Sequence, residues 1–304
     1  MSDHREPDEF KEFGIGSEYY EDDSHEEMEQ DQDVETARPF IEEIVFKEKV
    51  ATERELKVRL ERKFFPWITG RTIKALINGG VLRKVKYMGR RSLSKKIPTW
   101  FYIPNEAKYE DVVGIIEKKR RISIGVNAML TAQAPATYHA EDLFEEAFES
   151  LDFKMHGRNM WKFRDREIKG KEGKLPPNLD FIIEKNNVAY GVDVKNWIRY
   201  EYGTRKEIQF KVNIALRLHI IPFIVARYVD KEALYTDIIL KGGICYYYET
   251  LLFPISFKSL AEEASNVLGY PTLAVDFLPN YKIEWIEKLH RDYLKRKANS
   301  LRAV

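Results

Sequence analysis

The sequence predicts an α/β protein in which a mixed β-sheet flanked by helices follows a smaller domain of three short helices and a β-hairpin. Two observations predict this architecture. Apolar residues recur at helical spacing over the first ordered part of the chain, and helix and strand patterns alternate further on. The 304 residues, 44% of them hydrophobic, are enough for two separate cores. The expected segments are an acidic tail (1–36), a helix-and-hairpin domain (37–105), a helical connector (106–136), an α/β core (137–250) and a C-terminal helical extension (251–304).

Charge is distributed very unevenly along the chain. Residues 1–36 hold 15 Asp and Glu but only two basic residues, Arg5 and Lys11. The remainder of the chain holds 48 Lys and Arg and 34 Asp and Glu, which gives it a net charge of +14. A basic body indicates an anionic partner, most often nucleic acid. The tail has few aliphatic residues, so we expect disorder. Either it keeps the protein soluble or it competes with nucleic acid for the basic surface.

The composition also predicts the cellular compartment of the protein. No run approaches the ~20 apolar residues of a membrane-spanning helix, and the N-terminus is acidic where a signal peptide would be basic and then apolar. We therefore expect a cytoplasmic protein without a membrane partner. The single cysteine, Cys245, excludes an internal disulfide and cysteine-rich zinc sites, and its apolar neighbours predict an inert buried thiol.

Three helices are predicted in the first domain. Helical spacing begins after Pro39, giving a first helix to about residue 50. Thr52 and Glu55 form a capping-box pair that opens the second helix. Thr69 is a candidate cap for the third, residues 71–78, which a Gly-Gly pair ends.

Strands over residues 81–88 and 99–103 follow, joined by a basic turn at 89–96. Three helices and a hairpin with a basic tip are the winged-helix pattern, and residues 38–105 hold 17 Lys and Arg against six Asp and Glu. This excess favours DNA binding over a protein-interaction module, the alternative use of such domains. We expect contacts in the major groove from Arg71 and Lys74, and with phosphates from the wing residues Arg90, Arg91, Lys95 and Lys96.

Helix and strand patterns alternate in the remainder. A connector helix is predicted at 109–121, and residues 122–135 give no clear pattern. The later predicted elements are a helix (140–151), strands (153–156, 161–166, 180–184 and 188–195), a helix (205–218), a strand (221–226) and two C-terminal helices (260–268 and 285–297).

Two of these strands carry the residues that indicate chemistry. Asn186-Asn187 is a hairpin turn, and after it Asp193 and Lys195 alternate onto one face of their strand. In ordinary register Asp180 lies within reach of both. Because two converging carboxylates repel each other unless a cation lies between them, this oxygen-only ligand set predicts Mg²⁺ or Mn²⁺.

The arrangement resembles the PD-(D/E)xK nuclease superfamily, over residues 137–230, and its archaeal Holliday-junction resolvases in particular. That resemblance implies a restriction-endonuclease-like sheet and a metal-binding Glu on the first helix, here Glu141, with Glu145 and Glu146 as alternatives. The downstream helix with Gln209 and Lys211, which would support the site, and the strand at 221–227 also look like that group. One departure is Pro177, three residues before Asp180 where the family often has an adjacent proline.

The resemblance assigns roles to these residues. Glu141, Asp180, Asp193 and the Val194 carbonyl would bind one or two metal ions, and Lys195 would orient the attacking water or stabilise developing charge. The alternative for Lys195 is a surface ion pair with Asp193.

Aromatic and basic residues alternate at 197–206. Arg199 and Arg205 are candidate phosphate contacts there, with the aromatics stacking on bases. Equally, the aromatics could anchor the loop in the core.

The sequence therefore predicts a Mg²⁺-dependent DNA endonuclease. A non-catalytic DNA-binding regulator that uses the second domain for dimerisation, and an RNA-directed nuclease, remain the alternatives, and a homodimer stays open. No glycine-rich phosphate loop is present, which argues against a nucleotide-hydrolysing motor.

Overall fold

The computed structural model describes residues 27–89, 97–130, 134–170, 173, 175–198 and 202–302. In chain order the elements are α1 (Glu27–Glu48), α2 (Glu53–Leu60), α3 (Pro66–Asn78), β1 (Leu82–Lys86), β2 (Trp100–Pro104), α4 (Tyr109–Met129), α5 (Pro135–Ser150), β3 (Lys154–Met160), β4 (Lys162–Phe163), β5 (Arg166–Glu167), β6 (Leu179–Lys185), β7 (Val188–Lys195), α6 (Tyr202–Arg217), β8 (Ile221–Ala226), a π-helix (Ala233–Ile239), β9 (Ile244–Tyr247), β10 (Leu251–Phe253), a 3₁₀ helix (Ile255–Phe257), α7 (Lys258–Leu268), β11 (Thr272–Ala274) and α8 (Asn280–Arg302).

The described chain divides into two compact units. Residues 27–134 and 256–274 form one, here called the hairpin unit, and residues 135–255 and 275–304 form the other, called the sheet unit. The predicted C-terminal extension is thus shared between the units, with α7 in the first and α8 in the second. No helix in the described part of the chain is long and apolar enough to cross a membrane.

The hairpin unit has helices α1 to α3 packed with an antiparallel β1–β2 pair. The predicted capping box at the start of α2 is confirmed: the Glu55 N–H donates to Thr52 Oγ1 (3.1 Å) and the Thr52 N–H donates to the Glu55 carboxylate (3.3 Å). The end of α3 at Gly79 and Gly80 is also confirmed, with Gly80 at a φ of 69°. A core of buried aliphatic residues joins the elements: Ile41, Val45, Leu56, Leu60, Ile73, Leu76 and Leu82.

Three helix boundaries in this unit differ from those predicted. Helix α1 begins at Glu27, so disorder was a wrong prediction for residues 27–36. Glu and Gln are good helix formers, and Arg38 pairs with Glu35 (3.6 Å) and Glu42 (2.9 Å) along the helix. Pro39 consequently lies inside α1 and not in its first turn.

Helix α3 begins at Pro66, because proline suits a first helical position, and Thr69 is buried inside the helix instead of capping it. Helix α4 extends to Met129, through much of the stretch that gave no clear pattern. The basic turn with Arg90, Arg91, Lys95 and Lys96 lies outside the described residues, as do residues 1–26 of the acidic segment.

The sheet unit confirms a mixed α/β architecture. Its five strands have the order β3-β6-β7-β8-β9, in which β6 is antiparallel to β3 and β7, and β8 is parallel to β7 and β9. On one face, Phe148 of α5 packs on Phe181 and Phe223. On the other, α6 packs so closely over Gly191 that a Cβ there would lie 3.1 Å from Ala215.

The β6–β7 hairpin turns at the predicted Asn pair. Both Asn186 (φ 52°) and Asn187 (φ 57°) adopt the left-handed conformation, which asparagine tolerates better than most residues. Because this turn sets the register, Phe181 pairs with Val192. The same register carried one residue further places Asp180 opposite Asp193.

Candidate active site

The hairpin of β6 and β7 brings Asp180, Asp193 and Lys195 together as predicted. The backbone N–H of Val194 donates to Asp180 Oδ2 at 2.6 Å. Lys195 Nζ lies 3.0 Å from Asp193 Oδ1 and 2.8 Å from Oδ2. The two carboxylates and the ammonium therefore share one end of the sheet, on the face that α6 covers.

Asp193 is fully buried yet charged. Burial alone would raise its pKa, but the ammonium groups of Lys195 and Lys211 outweigh that effect and hold the pKa below the usual value. Lys211 Nζ, from α6, lies 3.0 Å from Asp193 Oδ1. The second oxygen, Oδ2, is buried and accepts no hydrogen bond of acceptable geometry.

Burial and nearby negative charge raise the pKa values of both Asp180 and Glu141. Burial and the charge of Asp193 raise the pKa of Asp180. Burial, together with the charge of Asp180, raises the pKa of Glu141 on α5 to about 7, although Arg158 and Lys195 oppose it. Glu141 is therefore close enough to be affected by the charge of Asp180, and its role as a metal ligand, which the resemblance implies, stays a prediction.

Lys195 stays protonated. Burial would lower its pKa, but Asp193, Asp180 and Glu207 together raise it above the usual lysine value. Its side chain is only 11% exposed, and Glu207 of α6 lies 3.4 Å from Nζ. Lys195 therefore forms the ion pair with Asp193 that the alternative predicted, but the pair is buried and not on the surface, and its catalytic role stays a prediction.

The two supporting residues on α6 have different partners. Lys211 contacts Asp193 and also donates to the Asn178 carbonyl oxygen at 2.8 Å, just before β6. Gln209 donates instead to Asp237 of the π-helix at 2.9 Å. Of these two residues, only Lys211 contacts the acidic pair formed by Asp180 and Asp193.

Arg205 and Trp197 are both involved in the fold. The Arg205 guanidinium contacts Asp237 (2.7 Å), Glu232 (2.6 Å) and Thr236 (3.1 Å). Trp197 is buried, and its indole N–H points toward the Tyr228 carbonyl oxygen. It therefore anchors the loop in the core, which is the second of the two interpretations given above for the aromatic residues. Arg199 lies outside the described residues.

Two residues near the site were not singled out from the sequence. Arg158 of β3 reaches three carboxylates of α5, Asp142 at 2.7 Å, Glu145 at 3.3 Å and Glu141 at 3.6 Å. No sequence pattern shows this, because β3 and α5 meet only in the folded sheet unit.

Asn196, directly after the Asp-x-Lys motif, is buried and makes four hydrogen bonds. Its Nδ2 donates to the carbonyl oxygens of Ala136 (2.9 Å) and Leu252 (2.7 Å). Its Oδ1 accepts from the Tyr248 hydroxyl (3.1 Å) and the Leu252 N–H (3.0 Å). It thereby ties the end of β7 to the first turn of the helix that carries Glu141.

The donor set fits a hard divalent cation. The ligand atoms are carboxylate oxygens, which Mg²⁺ and Mn²⁺ prefer, and Asp193 Oδ2 is a buried oxygen whose neighbouring cation is the Lys195 ammonium at 2.8 Å. Within the described ranges, no three His, Cys, Asp or Glu side chains are grouped closely enough to hold a metal ion by themselves. A metal would therefore rely on Asp180 and Asp193, with the Val194 carbonyl and water completing its shell.

Arg71 and Lys74, the candidate DNA contacts of the hairpin unit, are both exposed on α3. They lie on one helical face with Trp67, which is 39% exposed, and the Arg71 guanidinium lies 5.0 Å from its ring centroid. This face therefore presents positive charge and an aromatic ring to solvent.

Comparison with known proteins does not assign the chain to a family. No protein-family model matches the sequence, and no curated protein matches it. The functional interpretation therefore rests on the chemistry of the residues described above.

Proposed function

We propose that this protein is a metal-dependent DNA endonuclease that hydrolyses phosphodiester bonds. The single observation that carries the proposal is the cluster at the end of β6 and β7, where Asp180 and Asp193 meet the buried ammonium of Lys195. In this proposal the sheet unit is a PD-(D/E)xK core with a restriction-endonuclease-like sheet. The hairpin unit is a winged helix.

Asp180, Asp193 and the Val194 carbonyl would hold Mg²⁺ or Mn²⁺, and Glu141 would interact with the ion through bound water. When bound, the ion would polarise the scissile phosphate and lower the pKa of a water molecule. The elevated pKa of Glu141, about 7, supports its inclusion, since a nearby cation would relieve the repulsion from Asp180.

Lys195 would stabilise negative charge that develops on the phosphate or orient the attacking water. Its ammonium remains charged because three carboxylates surround it, and its buried side chain is held in place before any substrate arrives. Preorganised charge of this kind needs no rearrangement during the reaction. Lys211 and Lys195 both contact Oδ1 of Asp193, which fixes the orientation of that carboxylate.

DNA binding is assigned to the hairpin unit through Arg71 and Lys74. Residues 62–105 contain 11 Lys and Arg and no Asp or Glu. Such a region attracts phosphate, and Glu53 of α2, which borders it, is paired with Lys57. The basic wing residues, Arg90, Arg91, Lys95 and Lys96, would add phosphate contacts.

A cleavage assay tests this function. Supercoiled, linear, single-stranded and branched DNA, and matched RNA, would be incubated with the full chain and Mg²⁺, Mn²⁺ or a chelator. We expect metal-dependent cleavage of at least one DNA form. Cleavage of RNA alone would establish the RNA-directed alternative, and DNA binding without cleavage of any substrate would favour a non-catalytic regulator.

A further inference from the structure

An exposed tryptophan lies on the β1–β2 hairpin between two lysines. Trp100 pairs directly with Lys86 across the strands, and Lys84, two residues earlier on β1, shares its face. The Nζ atoms of Lys84 and Lys86 lie 4.8 Å and 5.6 Å from the Trp100 ring centroid. We call Lys84, Lys86 and Trp100 the hairpin patch.

Trp100 is not needed for the core of its unit. The four residues that follow it on β2 are all buried, whereas Trp100 is 44% exposed and both lysines of the patch are exposed. Trp100 therefore offers part of a large, rigid ring to solvent beside two cations, and tryptophan is enriched at binding surfaces.

The charge around the patch indicates what it binds. Residues 62–105 carry no carboxylate. Glu53 of α2 approaches from outside that stretch, but it is already paired with Lys57 at 2.7 Å and accepts a hydrogen bond from the Tyr102 hydroxyl at 3.4 Å. A planar aromatic group flanked by cations, whose neighbouring carboxylate Glu53 is already paired with Lys57, complements a base flanked by phosphates.

We propose that the hairpin patch binds unpaired nucleotides of a DNA strand, with one base stacked on Trp100 and adjacent phosphates held by Lys84 and Lys86. This rests on the proposed function and specifies its substrate class: DNA with a single-stranded or branched segment. A continuous duplex does not satisfy the patch, because its bases are stacked on one another and present only their edges in the grooves.

The sheet unit offers a matched control. Trp285 on α8 is 50% exposed, and Lys288 Nζ lies 4.2 Å from its ring centroid. The pair has the same chemistry, but Glu284 and Glu287 are its neighbours in sequence. Substituting Trp285 therefore separates the effect of the hairpin surface, where residues 62–105 carry no carboxylate, from that of any exposed tryptophan beside a lysine.

The experiment measures the affinity of the full chain for labelled oligonucleotides by fluorescence anisotropy, in chelator so that no cleavage occurs. The probes are a single-stranded DNA, its blunt duplex, the duplex with a single-stranded tail, and the matched single-stranded RNA. The proteins are the wild type, Trp100→Ala, Trp100→Phe, the double variant Lys84→Gln/Lys86→Gln, and Trp285→Ala. Melting temperatures confirm that each variant is folded.

We expect Trp100→Ala to weaken binding to single-stranded and tailed DNA by about tenfold, because one stacked base is lost. Binding to blunt duplex should change by less than about twofold, and Trp100→Phe should retain most of the affinity. The lysine double variant should weaken single-strand binding and flatten its slope of log affinity against log salt by about 1.4. Trp285→Ala should behave as the wild type.

Equal losses on single-stranded and duplex DNA, or no loss in Trp100→Ala and in the lysine variant, would overturn the proposal. Tighter Trp100-dependent binding of RNA than of DNA would also overturn it. Either result leaves the endonuclease activity to be judged by the cleavage assay alone, since binding in chelator does not depend on the metal site. Conversely, a chain that binds tailed DNA through Trp100 but never cuts it would refute only the endonuclease.

Discussion

Lys211 on α6 reaches Asp193 on β7, with its Nζ 3.0 Å from Asp193 Oδ1 and 2.8 Å from the Asn178 carbonyl oxygen. This contact connects the helix over the sheet to the acidic pair. Replacing Lys211 with Met would leave Lys195 as the ammonium partner of a fully buried carboxylate, and would raise the pKa of Asp193.

We expect Lys211→Met to slow metal-dependent cleavage by about tenfold or more and to lower the free energy of unfolding by about 2 kcal/mol. Single-turnover cleavage and urea denaturation measure the two effects. Lys241→Met is the control, because Lys241 is exposed. Unchanged cleavage in Lys211→Met would show that its contact with Asp193 has no catalytic consequence.

Asn196 holds three segments of the sheet unit together through its four hydrogen bonds. Asn196→Ala should lower the free energy of unfolding by about 3 kcal/mol, because buried carbonyl and N–H groups lose their partners. Denaturant titration provides the measurement. A loss within the error of the titration would mean that water or rearrangement satisfies these groups.

From the surroundings of His290 we predict that the free energy of unfolding depends on pH. Its ring nitrogens contact the Tyr190 hydroxyl and Asn186 Oδ1, both at 2.8 Å, an arrangement that suits the neutral ring. Burial lowers its pKa, and Lys185 adds to this effect against the opposing charge of Glu287. Below about pH 6.5, the value expected for the unfolded chain, the unfolded state binds more protons than the folded state.

Stability contributed by neutral His290 is therefore present at neutral pH and lost as the pH falls below that value. We expect this loss as a fall in the difference in free energy of unfolding between the wild type and His290→Gln between about pH 7.5 and pH 5 in urea titrations, because Glu141, whose pKa is raised to about 7, acts in the opposite direction in both proteins. His290→Gln should lose less stability over the same range. A variant with the same pH dependence as the wild type would assign the effect to other groups.

The sequence assigned Arg205 to DNA, but its guanidinium is engaged by Asp237, Glu232 and Thr236. Because Asp237 is buried, removing its partner should destabilise the folded protein. We expect Arg205→Ala to lower the melting temperature while DNA affinity in chelator changes by less than about twofold. A large affinity loss at an unchanged melting temperature would restore the DNA-contact assignment.

Local rules predicted some elements because their causes lie within a few residues. The Thr52–Glu55 capping box and the Asn186-Asn187 turn depend on adjacent backbone atoms, and the turn sets the register that unites Asp180 with Asp193. The start of α1 was missed because an acidic composition with few aliphatic residues favours disorder, whereas the helix is supported by the ion pairs of Arg38 with Glu35 and Glu42.

Other features could not be predicted because they join distant segments. Lys119 was placed only in a helical connector, yet it is buried and pairs with Glu48 (2.7 Å) and Glu55 (2.6 Å). The contacts of Arg158 with α5 are similar in kind. Charged residues such as these are ordinarily exposed, so only the fold shows where they are paired.

The most direct test of the account is single-turnover DNA cleavage by Asp193→Asn, beside the wild type and Asp276→Asn, a control at an exposed aspartate. The substitution keeps the shape of the side chain and removes its charge. We expect the wild type and the control to cleave DNA in Mg²⁺ and not in chelator, and Asp193→Asn to be at least about 100-fold slower with DNA affinity little changed. Cleavage by Asp193→Asn at the wild-type rate, or wild-type cleavage that persists in chelator, would contradict the proposed active site.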